Sequence, residues 1–159
     1  MCTQKRPHDN SAVLYERYGT VFSDYIELSV LPALRNCRDE ALLRELARRW
    51  DGHKLMTKWF ARFFNYLDRY YVCRYSLTPL KEAAYARFAD LVCRGELGTA
   101  AAAAAAAALQ SGVADDRALA ERVLRMFVEL EMGEMACGAG TDGAPGPTVA
   151  ALLAQHAAK

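Results

Sequence analysis

Three histidines, His8, His53 and His156, and three acids in "VELEMGEM", Glu129, Glu131 and Glu134, are the residues here best suited to acid–base chemistry. The histidines fall in different predicted elements, far apart in the 159-residue chain. The acids share their helix with no histidine, cysteine or second acidic cluster, so they read as a solvated helix end. Ser23-Asp24 and Ser76 have no evident base beside them. No HExxH, GxSxG or phosphate-loop pattern occurs. A site needs recognisable acid, base or nucleophile roles, and none is written here. The expectation is a protein that is not an enzyme and holds no cofactor or metal.

The five cysteines, Cys2, Cys37, Cys73, Cys93 and Cys137, show no two-residue spacing of a zinc or redox motif. Their odd number argues against a disulfide framework, and they read as reduced thiols. "MCTQKRPHDN" has no apolar core of a signal peptide and no glycine at position 2 for myristoylation. No run is long and apolar enough to span a bilayer. The expected location is the cytoplasm and nucleus. Net charge is +1, so no global field draws the chain to nucleic acid or membrane.

One segment is locally basic. Residues 44 to 74 carry eight Arg or Lys against three acids, interleaved with aromatics. That combination can bind nucleic acid. Without an RNP or helix-turn-helix signature, the segment reads instead as a solvated face or a docking surface for an acidic protein.

The elements that position these residues are helices. Alternating β-branched runs bounded by turn pairs are absent, whereas helical periodicity runs nearly throughout. A first helix is expected from Asn10 or Ser11 to Asn36, with Leu14, Tyr18, Phe22, Tyr25, Ile26 and Leu28 inward and a kink or break near Pro32. Asp39 opens a second, with Leu42, Leu43, Leu46 and Trp50 as its stripe. Gly52 marks a break before a third. Thr78-Pro79 caps a fourth carrying Leu80, Ala84, Phe88, Leu91 and Val92, ended by Gly95 or Gly98. Nine alanines, residues 100 to 108, should be helical yet hold their neighbours weakly, having little area to bury. Asp115 or Asp116 starts another helix with Leu119, Val123, Phe127 and Leu130. The remaining residues, rich in glycine and proline, have linker composition. The whole is an all-α array of about six helices.

"RFFNYLDRYYVCRYS", residues 62 to 76, packs six aromatics and three arginines into fifteen residues. On a wheel of about 100° per residue with Trp59 at zero, Phe63, Tyr66 and Tyr70 lie within about 40°. Phe60, Phe64, Leu67 and Tyr71 cluster near about 80–140°, and Lys58, Arg62, Asn65 and Arg69 near about 240–300°. The apolar arc is wider than a surface helix needs. Either the helix sits inside a bundle, or Tyr66 and Tyr70, beside arginines, belong to an interface, where tyrosine and arginine concentrate. The wheel favours neither.

"QKRPHDNSAVLYERYGTVFSDYIELSVLPALR", "DEALLRELARRWDGHKLMTKW", "RFFNYLDRYYVCRYSLTPL" and "RALAERVLRMFVELEMGEM" resemble the N-terminal region of cullins, in particular the plant cullins that serve SCF-type ubiquitin ligases. The likeness covers most of residues 4 to 135, with a gap at the alanine tract. It implies an antiparallel helix array of cullin-repeat type, a rigid stalk whose tip binds a Skp-type adaptor carrying an F-box protein. Residues 54 to 74 resemble the fifth helix of the first repeat, which shares adaptor docking with the second. Tyr66 and Arg69 in "YLDR" correspond to its docking tyrosine and arginine. On this resemblance Arg62, Asn65, Tyr66, Arg69 and Tyr70 face outward to the adaptor, and Phe60, Phe64, Leu67 and Tyr71 face the core.

The resemblance divides the chain into a tail at 1–10, a partial first repeat at 11–76, the start of a second at 77–135 with the polyalanine tract, and a Gly/Pro/Ala-rich tail at 136–159. On this resemblance, the chain is expected to start just after the family's second helix and to lack the C-terminal domain. The expected function is therefore a non-catalytic scaffold fragment in ubiquitin-dependent protein degradation. The alternatives are a structural relic without adaptor binding and a basic helical nucleic-acid binder. Exposed apolar surface left by the missing helices is expected to promote self-association.

Overall fold

A computed structural model describes residues 10–136, and side chains through residue 131. Every regular element among the described residues is helical. The two tails, with His8, His156, Cys2 and Cys137, lie outside the described residues, as does the side chain of Glu134.

α1 (Ser11–Tyr25) runs through a π-helical stretch, Ile26–Val30, into α2 (Leu31–Arg35). Near Pro32, where a kink or break is expected, the helix does not end but widens into this π-helical stretch. The N–H of Leu31 reaches back five residues to the carbonyl of Ile26, and this wider turn accommodates a ring that would clash in an α-turn. Tyr18, Phe22, Ile26, Val30 and Leu34 are buried. Leu14 and Leu28, assigned to the same stripe from the sequence, are instead exposed.

α3 (Asp39–Phe63) passes straight through Gly52, so the predicted break there is absent. A helix-interior glycine costs only about 1 kcal/mol. The buried stripe of Leu43, Leu46, Trp50, His53 and Thr57 spans the position and outweighs it. The chain turns only at Phe64, whose backbone leaves the helical region. A π-helical stretch, Leu67–Val72, and the single turn α4 (Cys73–Tyr75) follow, closed by Ser76 in the left-handed conformation.

α5 (Leu80–Phe88) extends as a π-helix over Ala89–Cys93. Thr78 does not cap it. The backbone N–H of Leu80 donates to the Asp68 carboxylate at 3.0 Å, because the π-helical stretch passes directly beside the α5 N-terminus. Tyr15 and Tyr18 donate their hydroxyls to the carbonyls of Thr78 and Leu80, at 2.7 and 3.0 Å. Three side chains thus pin the link between residues 76 and 80.

α6 (Glu96–Gln110) contains the alanine tract, and α7 (Ala114–Ala136) packs along it. Ala101 and Ala105, one turn apart, are fully buried and join Ala120, Val123 and Met126 in the main core. The tract is helical, as expected, and its buried alanines face α3 and α7. At its start, Gly98 sits tightly against the preceding π-helical stretch, since a Cβ there would stand 1.8 Å from the Cys93 carbonyl oxygen.

Two cores result. The larger joins α2, α3, α5, α6 and α7 with two of the π-helical stretches. The smaller gathers Tyr18, Phe22, Leu67, Leu80 and Ala84, with Tyr15, Met56, Phe60, Phe64 and Tyr71 half-buried against it.

Candidate functional site

Among the described residues, those singled out for acid–base chemistry form no shared site. His53 is fully buried on α3 among Phe22, Trp50, Tyr85 and Phe88, its Nε2 3.0 Å from the Ala84 carbonyl. Burial lowers its pKa from 6.5 to about 4, so the ring is neutral near neutral pH. It is a core group.

Glu129 is not merely a solvated helix end. It accepts a hydrogen bond from the Trp50 indole at 3.2 Å and lies 3.6 Å from Lys54, tying α7 to α3. Arg122 of α7 pairs with Asp51 of α3 beside it. Among the described residues no group of three or more His, Cys, Asp or Glu could hold a metal. Cys37, Cys73 and Cys93 form no disulfide among the described residues, and no described helix is long and apolar enough to cross a membrane.

The concentration of unusual surface lies elsewhere, where α3 ends and the π-helical stretch begins. Arg62, Asn65, Tyr66, Arg69 and Tyr70 are all exposed. On the inner side, Phe60, Phe64 and Tyr71 pack onto the smaller core and Leu67 is buried. Phe60 and Phe64 stack in parallel with centroids 6.0 Å apart, and both meet Tyr18 edge-on. That aromatic wedge supports the surface from beneath.

On the outer face the Tyr66 and Tyr70 rings lie 4.5 Å apart. The Arg69 guanidinium sits 5.9 Å from the Tyr70 ring centre, and Arg62 5.7 Å from that of Trp59. Lys58, Arg62 and Arg69 make no ion pair among the described residues, while the nearby Asp68 carboxylate is turned to the α5 N-terminus. The face is therefore aromatic and electropositive, and suits an acidic protein surface with apolar anchors.

Sequence reasoning left out two exposed aromatics just before the turn. Trp59 is exposed, and Phe63 is 79% exposed, more than Tyr66 at 71%. The signal was present in the wheel, which placed Trp59 and Phe63 in the same narrow arc as both tyrosines. Asp68 was also missed, since its capping role depends on a chain reversal that periodicity does not show.

The model of the Cullin alpha solenoid domain matches residues 1–136. The chain is 47% identical over 137 residues to "Cullin-1" of Oryza sativa subsp. japonica, and 41% over 138 residues to "Cullin-2" of Arabidopsis thaliana. Each alignment takes in 85% of this chain and 18% of the relative. "Cullin-like protein 3" of Arabidopsis thaliana is 37% identical over 138 residues, which amount to 85% of this chain and 52% of that protein. No solved structure matches.

Proposed function

The chain belongs to the cullin family, a family of ubiquitin-ligase scaffolds rather than enzymes, and on that footing we propose that it is a non-catalytic scaffold piece that docks a Skp-type adaptor with its F-box protein. The docking surface is the face formed by Arg62, Asn65, Tyr66, Arg69 and Tyr70, extended by Trp59 and Phe63. One observation carries this reading: large aromatics stand exposed beside uncompensated arginines, on a segment whose inward residues are fixed by a core of their own. Exposed clusters of this composition mark protein interfaces. We place the chain in the cytoplasm and nucleus and divide it into repeats at residues 76 and 77, as the family resemblance implies.

Calorimetric titration of the purified chain with a Skp-type adaptor tests the proposal, beside a Tyr66→Ala/Arg69→Glu variant. Both residues are exposed, so the variant keeps its helical circular dichroism. Saturable one-to-one binding lost in the variant supports docking. Absence of heat from the folded wild-type chain leaves a structural relic, and binding to nucleic acid that weakens steeply with salt would reassign the basic face.

A further inference from the structure

A second exposed apolar surface lies on α1. Leu14, Val21 and Leu28 recur every seven residues and are all exposed, Leu28 to 80%, with Val13 beside them. Seven residues bring an α-helix back to within about 20° of the same direction. The wider π-helical turn over Ile26–Val30 rotates Leu28 toward the side occupied by Arg17 and Asp24. These two charges are exposed, and neither forms an ion pair among the described residues. The stripe therefore reads Leu14, Arg17, Val21, Asp24, Leu28, apolar and charged in alternation.

That order is self-complementary under a two-fold axis. Positions 14 and 28 are equidistant from 21. Arg17 and Asp24 lie on opposite sides of it, four and three residues away, and carry opposite charge. Two such helices laid antiparallel bring each Leu14 to the other copy's Leu28, and each Arg17 to the other copy's Asp24. A parallel arrangement sets Arg17 against Arg17 and Asp24 against Asp24. Like charges in register are repulsive, so charge selects the antiparallel pairing.

We propose that α1 and the adjoining π-helical stretch form an isologous antiparallel contact with a second copy of this chain. Val21 lies on the two-fold axis, and Arg17–Asp24 pairs flank it.

Sedimentation equilibrium on the full chain, up to high micromolar concentration, tests this with four variants. The wild-type chain is expected to approach a dimer. Val21→Asp, which sets two like charges at the axis, is expected to remain monomeric with unchanged circular dichroism. Arg17→Asp weakens the dimer about tenfold, because two pairs turn repulsive at once, and Asp24→Arg does the same. The double exchange Arg17→Asp/Asp24→Arg restores it, since the pairs reform with signs reversed. A wild-type chain that stays monomeric overturns the proposal and leaves the stripe to a different partner. A dimer that survives Val21→Asp, or is not restored by the double exchange, overturns it as well.

Discussion

Trp50 and Trp59 stand on one helix, nine residues and half a turn out of phase, in opposite surroundings. Trp50 is 3% exposed, stacked with His53 and packed against Tyr85 and Phe88. Trp59 is 52% exposed under the Arg62 guanidinium. The first half of α3 is gripped by α5, α6 and α7 and buries its aromatics. The second half buries one flank on the smaller core, against Leu80 and Ala84 of α5, and leaves the other open. Aromatic content alone therefore says little about a core. What decides is whether neighbouring helices cover the residue.

The largest expected effect separates the two halves directly. Trp50→Ala should destabilise the chain by about 3–5 kcal/mol, through lost burial and the cavity left behind. Trp59→Ala should change stability by about 0.5 kcal/mol or less. Urea denaturation of both variants checks this, and equal losses would dissolve the contrast.

His53 marks the closed half by its response to acid. Its folded pKa, about 4, lies below the free value of 6.5, so the unfolded chain takes up the proton first as pH falls. The stability that depends on a neutral ring is complete above pH 6.5 and disappears as pH falls through 4, a loss on the order of 3 kcal/mol. Denaturation midpoints across that window should fall less steeply for His53→Leu than for wild type. Identical slopes would show that His53 is not titrating in the core.

Gly98 probes how closely the alanine helix is held. Gly98→Ala should lower stability by about 1–3 kcal/mol, because the new methyl meets a backbone carbonyl that has no flexible end to yield. An unaltered midpoint in thermal unfolding would mean that α6 sits farther out. A modest effect is expected near the turn at Phe64. Asp68→Ala removes the hydrogen bond at the α5 N-terminus and should cost about 1 kcal/mol. The same change should weaken adaptor binding more than Asp68→Asn, which keeps an acceptor. Titrations of both variants compare the two.

The all-helical class was legible in the sequence because periodicity is local, and α7 shows it in Val123, Phe127 and Leu130. Family resemblance supplied the division of Tyr66 and Arg69 from Phe64 and Leu67, where the wheel left two answers. Three features were not legible. The π-helical stretches carry no compositional mark, since a shift from one hydrogen-bond partner to the next leaves side-chain types unchanged. Gly52 looked like a break because its local preference is visible and the packing that overrides it is not. Glu129 looked solvated because its partner, Trp50, is 79 residues away in the chain.

The alanine tract has one further consequence. Nine identical side chains give α6 no internal address: slid by one turn, it would present the same surface to α3 and α7. Its position along them is set from its ends, by Gly98 under the Cys93 carbonyl and by Leu97 and Leu109 against the main core. One alanine added within the tract would leave the packed surface alike but turn Leu109 by about 100°. Length, not composition, is what this helix has to keep.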